Sequence, residues 1–260
     1  MEVKGKKIIV TGGAAGIGKQ LVIKLLNRGA YVSALDINAD NLKKLKNDLN
    51  NNRLSTYKID ISNLEEIQKF KKQYLNDNKD LDILINNAGV IQPFTSVDNL
   101  NINDIERVMN INFYGPVYLI KEFLPIIKER KEAYIVNVGS MGGFFPFPKQ
   151  TAYGASKAAL GLFTEGLYAE LLDSNVRVMM VLPGAINTDI AANSKVEIAG
   201  MGDSNIPMTS PEEAAYLIIE AIKKEKWKIY VGKDSKFMNF LYKLNAKKAI
   251  GYINKLMNKR

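Results

Sequence analysis

Apolar and polar positions change their period repeatedly along this chain. Lys7-Ile-Ile-Val-Thr11 is a short apolar run of strand type. It passes through Gly12-Gly-Ala-Ala-Gly16-Ile-Gly18 into Lys19-Gln-Leu-Val-Ile-Lys-Leu-Leu-Asn-Arg28, where apolar residues recur at helical spacing until Gly29 stops them. The alternation continues with a strand from Tyr31 to Leu35 ending at Asp36, a helix over 39–50, and a strand over 54–59 ending at Asp60. Ser62-Asn-Leu-Glu65 reads as a capping box that opens the next helix. A strand from Leu81 to Ile85 then runs into Asn86-Asn-Ala-Gly89, and residues 102–130 read as one long or broken helix around Asn112-Phe-Tyr-Gly115. A strand over 134–138 leads to Ser140, and a helix carrying Tyr153 and Lys157 runs to about Asp173. A strand over 176–182 ends at Pro183-Gly184. Ser210-Pro-Glu-Glu213 opens a helix running to about Lys226, and Trp227 to Val231 forms the last strand.

Strands alternating with helices at this spacing predict an α/β fold, a single doubly wound Rossmann-type parallel sheet with helices on both faces. Right-handed crossovers bring the carboxyl ends of the strands to one edge, where ligands of open α/β sheets bind. Gly12 to Gly18, Asp36, Asp60, Asn86 to Gly89, Ser140 and Pro183-Gly184 all fall at such ends. Residues 187–210 have no strong period and read as a lid or a disordered segment. A composition of 47% hydrophobic and 24% charged residues suits a soluble globular protein, and no apolar run is long enough to span a membrane. The start of the chain has too short an apolar stretch for a signal peptide, so the expected location is cytoplasmic.

The sequence contains no histidine and no cysteine, which excludes disulfides and thiolate metal sites; no metal is expected. Proton chemistry near neutral pH then needs a tyrosine, lysine or carboxylate of shifted pKa. Tyr153 and Lys157 lie four apart on one helix, hence on one face. An ammonium ~4 Å from a phenol, at an effective dielectric near ~20, stabilises the phenolate by roughly 4 kcal/mol. That is enough to bring a tyrosine from about 10 to near 7. At the other end of the chain, a strand, a glycine turn and a helix offer backbone N–H groups to a pyrophosphate. Asp36, about 20 residues beyond the glycine turn, is placed to accept bonds from an adenosine ribose and repel a 2′-phosphate. No basic residue stands in the glycine loop or just after Asp36 to hold that phosphate, so NAD is favoured over NADP.

In this order the motifs resemble the short-chain dehydrogenase/reductase family over roughly residues 5–232. Thr11-Gly-Gly-Ala-Ala-Gly-Ile-Gly18 looks like its T-G-x-x-x-G-x-G loop. Asn86-Asn-Ala-Gly89 matches its N-N-A-G stretch, and Asp60-Ile61 resembles its adenine-contacting acidic position. Asn112 resembles its catalytic asparagine, and Ser140 with Tyr153 and Lys157 its S…Y-x-x-x-K triad. Pro183-Gly184 followed by Thr188 resembles the segment near the nicotinamide carboxamide. The resemblance implies Asn112, Ser140, Tyr153 and Lys157 as catalytic residues. It implies cofactor contacts from Gly12, Ala15, Gly16, Ile17, Gly18, Asp36, Asp60, Ile61, Asn87, Ala88, Gly89, Tyr153, Lys157, Pro183, Gly184 and Thr188. Tyr153 would exchange a proton with the alcohol or carbonyl oxygen, Lys157 would lower its pKa and bond the nicotinamide ribose, Ser140 would hold the substrate oxygen, and Asn112 would complete a proton path through water. The implied activity is NAD-dependent interconversion of a secondary alcohol and a ketone, in a homodimer or homotetramer. The alternatives are an NADP-linked 3-oxoacyl reductase, or a silent dinucleotide-binding regulatory or scaffold protein, which would be expected to have lost Tyr153 or Lys157.

Two stretches bear on substrate and partners. Gly142-Gly-Phe-Phe-Pro-Phe-Pro148 sets three phenylalanines beside the reaction centre, either walling an apolar pocket for a steroid-like or long-acyl substrate or packing in the core or a subunit contact. The net charge of +9 is confined to the end of the chain: residues 1–222 carry 24 Lys/Arg against 25 Asp/Glu, and residues 223–260 carry 12 against 2. Phe237, Phe240, Leu241 and Leu244, then Ile250, Ile253 and Met257, recur at helical spacing among lysines 236, 243, 247, 248, 255 and 259. The chain thus divides into a catalytic body, 1–232, and a basic amphipathic helical extension, 233–260. For the extension, packing on the domain or a second subunit ranks first, an anionic membrane surface second and nucleic acid last, since no basic stripe marks the body.

Overall fold

The computed structural model describes residues 1–188, 190–194, 196 and 208–258. Seven parallel strands form one sheet: β1 (Lys7–Thr11), β2 (Tyr31–Asp36), β3 (Leu54–Lys58), β4 (Ile83–Asn86), β5 (Ala133–Val138), β6 (Val176–Pro183) and β7 (Lys228–Val231), in the order β3-β2-β1-β4-β5-β6-β7. The chain winds outward one way from β1 and the other way from β4, so a crevice opens between these two strands at their carboxyl ends. The helices that cross over are α1 (Gly16–Asn27), α2 (Ala39–Leu49), α3 (Leu64–Asn78), α4 (Ile102–Met109), α5 (Gly115–Lys128) and α6 (Thr151–Glu170). A short turn α7 (Ile190–Asn193) and α8 (Pro211–Lys223) precede the last strand, and α9 (Lys233–Leu244) and α10 (Ala246–Asn258) follow it.

Alternation along each strand splits the core in two. Ile8, Val10, Ile83, Ile85, Tyr134 and Val136 face the layer of α1 and α8, while Ile9, Leu84 and Ile135 face Phe70, Tyr74, Leu119 and Phe123 on α3 and α5. A third, smaller cluster joins Phe145 to Ala249 and Ile253, so α10 is seated on the loop after β5.

The expected elements form, with instructive differences. The segment over 102–130 breaks into α4, a π turn (Asn110–Tyr114) and α5, with Asn112 fully buried in the π turn. The helix expected to open at Ser62 is capped by Asn63 instead: its side chain accepts the N–H groups of Glu65 at 2.9 Å and Glu66 at 3.3 Å. Ser62 turns back, its hydroxyl donating to Asp60 at 2.6 Å, and Glu66 accepts the Asp60 N–H at 2.9 Å while the Asn63 N–H goes to the Asp60 carbonyl. Ser210 caps α8 as its spacing predicts, accepting the Glu213 N–H at 3.1 Å. Of the expected lid, the two ends pair at Ile186 and Thr209, and Ser194 accepts the Ile91 N–H at 3.0 Å; residues 197–207 lie outside the described residues, as do the Met257 side chain and Lys259.

Asn63→Ala, which removes the true cap of α3, is expected to lower stability in urea by about 1 kcal/mol. Two-state denaturation followed by circular dichroism measures it.

Candidate active site

The crevice between β1 and β4 is built from the glycine turn. Gly12 and Gly16 take φ of 62° and 49°. A side chain at Gly18 would stand 1.9 Å from the Gly12 carbonyl oxygen, so only glycine lets α1 start this close to the turn. Ala15 caps α1 in extended conformation with no side-chain bond, and the first turn holds no acidic residue. The helix therefore presents the backbone of Gly16, Ile17 and Gly18 and its positive end without a rival carboxylate, which fits a pyrophosphate. The floor is held by Thr11, whose buried hydroxyl accepts the N–H groups of Asn87 and Ala88, both at 3.0 Å. The Asn87 amide returns a bond to the Thr11 carbonyl at 2.9 Å.

Around this turn lie the other expected contacts. The Asp36 carboxylate accepts the N–H groups of Ala14 at 3.1 Å and Asn38 at 3.0 Å, which fixes it at the end of β2. Asp60 is tied down by Ser62, and Ile61 is buried against Gly115, where a side chain would meet it at 2.9 Å. Thr188 reaches over the turn: a side chain at Gly16 would meet its methyl group at 3.2 Å. Pro183 and Gly184 end β6, and the next N–H, that of Ala185, donates to Asp234 at 2.6 Å.

On the other side of the crevice the structure pairs Ser140 with Tyr153 and Lys157 with Asn112. A side chain at Gly142 would meet the Tyr153 ring at 3.2 Å and the Ser140 Oγ at 3.4 Å, so both groups stand against one glycine. The Ser140 Oγ accepts the Gly142 N–H at 3.0 Å, which leaves its own proton to give. A side chain at Gly89 would meet Lys157 Nζ at 2.9 Å and Asn112 Oδ1 at 3.2 Å, so these two share a second glycine. Lys157 Nζ donates to the Val138 carbonyl at 3.2 Å. Asn112 is fully engaged: it accepts the Val90 N–H and donates to the Val90 carbonyl, each at 2.9 Å, and donates to Ser156 at 3.0 Å. The three phenylalanines do not stand free over the site. Phe145 is fully buried against Phe147 and Tyr242, and Phe144 packs edge-on to Tyr230, so this loop is core for the C-terminal helices.

Several residues of the site escape a reading by motif. Gln92 is fully buried, accepts the Tyr153 N–H at 3.0 Å and donates to the Lys149 carbonyl at 3.1 Å, so it caps α6 from outside the helix. Ser156 joins Asn112 to the Tyr153 carbonyl. Asn86 and Asn137 bond each other at 2.8 Å, and Asn137 passes the link to Thr164 on α6 at 2.9 Å. The only signal these gave was polarity at positions where a parallel strand or helix face is otherwise apolar. Among the described residues no cluster of acidic side chains is arranged to hold a metal.

The expected acidification of Tyr153 by Lys157 is not what the cleft does. Burial pushes the phenol above its ordinary value, and the Ser140 hydroxyl offsets part of the rise. Burial likewise holds Lys157 down, to about 8. A lysine of lowered pKa penalises the folded state below that value, because folding must desolvate an ammonium that the unfolded chain keeps in water. Its contribution therefore improves as pH rises from about 8 towards the unfolded value of 10.5. Lys157→Met removes the penalty. The stability gap between variant and wild type, measured by urea unfolding, is expected to be larger at pH 7 than at pH 10 by roughly 2 kcal/mol.

Comparison with known proteins agrees with this geometry. The profile of the short chain dehydrogenase family matches residues 6–198. A protein named uncharacterized oxidoreductase Rv1543, from Mycobacterium tuberculosis, is 34% identical over 85% of this chain, and the match spans 64% of that protein's own length. The putative oxidoreductase SadH of the same species is 30% identical over 93% of this chain and 91% of its own. The fatty acyl-CoA reductase of Acinetobacter baylyi is 31% identical over 87% of this chain and 76% of its own. Among solved structures, a short chain dehydrogenase from Burkholderia cenocepacia in complex with NADP superposes with a TM-score of 0.83 at 27% identity, covering 97% of this chain and 99% of that one. One from Burkholderia phymatum in complex with NAD has the same fold, with a TM-score of 0.80 at 24% identity over 88% of this chain and 90% of that one. By its ordered motifs, its sheet order and a match over most of its length, the chain belongs to the short chain dehydrogenase family.

Proposed function

We propose that this chain is an NAD-linked oxidoreductase interconverting a secondary alcohol and a ketone, with Tyr153 as acid and base. The observation that carries the reading is the shared contact at Gly142, where the Ser140 hydroxyl and the Tyr153 ring meet. A bound nicotinamide would supply or take up the hydride. Gly12, Ala15, Gly16, Ile17 and Gly18 would hold its pyrophosphate, Asp36 its adenosine ribose, and Asp60 and Ile61 its adenine. Asn87, Ala88, Gly89, Pro183, Gly184 and Thr188 would line its other half. Ser140 donates to the substrate oxygen, and Tyr153, which keeps its proton near neutral pH, delivers that proton to a carbonyl oxygen as it gains charge. Lys157 would reach the cofactor ribose, and Asn112 holds Val90 by its N–H and carbonyl beside it, at the π turn.

Solved relatives of this fold carry NAD in one case and NADP in another, so the fold alone leaves the cofactor open; the fixed Asp36 carboxylate favours NAD. Of the apolar substrates expected, a long-acyl one rather than a steroid-like one is supported by the relative named as a fatty acyl-CoA reductase. A homodimer or homotetramer is supported by large apolar side chains left outward on α6 and the π turn, Leu162 at 75% and Tyr114 at 42% exposure.

Two measurements test the proposal. Tyr153→Phe should cut dinucleotide-linked turnover on a panel of hydroxysteroids, aliphatic alcohols and 3-oxoacyl thioesters at least ~100-fold. Dinucleotide affinity should change only a few fold; comparable turnover by the variant rejects the assigned acid. Asp36→Ser should weaken NAD binding roughly tenfold or more, as expected for losing bonds to a carboxylate, with little loss for NADP. Equal loss for both would put the cofactor preference elsewhere.

A further inference from the structure

The C-terminal helices carry an apolar strip that faces away from the protein. On α9, Met238, Leu241 and Tyr242 turn inward onto Phe145, while Phe237, Phe240 and Leu244 are 50%, 59% and 67% exposed. These last three lie one turn apart and form a continuous strip. Phe240 has Lys236 four positions before it and Lys243 three after it, so the strip is flanked by ammonium groups on stems that can lie along it. On α10 the inward face is Ala249 and Ile253, and Lys247, Lys248 and Lys255 are exposed. None of these five lysines forms an ion pair among the described residues.

We propose that the extension, residues 233–260, docks the protein on the surface of a membrane rich in anionic lipid. Phe237, Phe240 and Leu244 enter the boundary between headgroups and acyl chains, and the lysines lie among the headgroups. The choice of occupant follows from charge. A two-fold contact with a second copy would set this basic face against itself, with no acidic partner on α9 or α10 except Asp234, which is engaged with Ala185. Nucleic acid would satisfy the lysines but leave the strip in water. Among the described residues no helix is long and apolar enough to cross a membrane, so the contact lies in the interface plane. The inference goes beyond the proposed reaction and stands on different residues; none of its variants touches the catalytic groups.

The test uses the full chain with vesicles of phosphatidylcholine alone or mixed with phosphatidylglycerol, followed by cosedimentation. The protein is expected to bind the mixed vesicles, to leave the neutral ones in solution, and to bind less as salt rises. Lys236→Gln with Lys243→Gln should lower affinity roughly thirtyfold, the effect of two lysines near an anionic surface. Phe237→Ser with Phe240→Ser should lower it at least ~10-fold, with dinucleotide binding and sedimentation size kept. Absence of binding to the mixed vesicles, or equal binding to the neutral ones, overturns the proposal. So does a serine variant that loses a subunit contact while binding vesicles as before, since the strip then belongs to a second copy.

Discussion

The geometry of the candidate site depends on how α6 is fastened to the sheet. Apolar burial would hold the helix to the sheet, but it tolerates small slips. A slip of one residue moves a helix by about 1.5 Å and turns it by about 100°, which would carry Tyr153 away from Ser140. Hydrogen bonds between buried groups do not tolerate this, because each lost bond leaves a desolvated donor or acceptor without a partner. Three such ties reach α6 at three heights: Gln92 to the Tyr153 N–H, Asn112 to Ser156, and Asn137 to Thr164. Together they define one register.

The burial that secures the register also sets the proton affinities. Both Tyr153 and Lys157 are pushed towards their neutral forms, the phenol upward and the ammonium downward to about 8. Their order is thereby inverted relative to a lysine that acidifies its neighbour: the lysine gives up a proton more readily than the tyrosine. Next to Lys157 Nζ, Asn112 in the π turn holds Val90 by both its N–H and its carbonyl.

The strand–helix alternation and the strand-end positions of the motifs were legible because parallel strands buried on both faces are short, apolar and bounded by glycine or asparagine. What escaped depended on competition between near neighbours or on distant contacts. At the start of α3, Ser62 and Asn63 both have capping side chains, and Asp60 decides between them by taking the Ser62 hydroxyl. A four-residue template cannot see that contest. Gln92 lies 61 residues from the N–H it caps, so no local pattern marks it. The pKa direction at Tyr153 does not follow from spacing, which gives proximity on a helix face but not desolvation. Phe144, Phe145 and Phe147 pointed to apolar burial, and what they bury against is set by α9 and α10, almost 100 residues later.

That last contact joins the end of the chain to both walls of the cleft. On one side, Gly143 sits so close to α6 that a side chain there would meet the Lys157 carbonyl carbon at 2.8 Å, and the phenylalanines that follow it are gripped by α9 and α10. On the other, Asp234 takes the Ala185 N–H and Ser235 donates to the Leu182 carbonyl at 2.8 Å, which pins the end of β6 where Pro183 and Gly184 lie. One helix start thus braces the segment expected beside the nicotinamide, and the faces of two helices brace the loop that carries Ser140. The buried Ser235 hydroxyl and the packed aromatic cluster have few alternative arrangements, so α9 is held at both contacts. The outer strip of α9 thus lies on a helix whose first turn and inner face contact the end of β6 and the loop after Ser140.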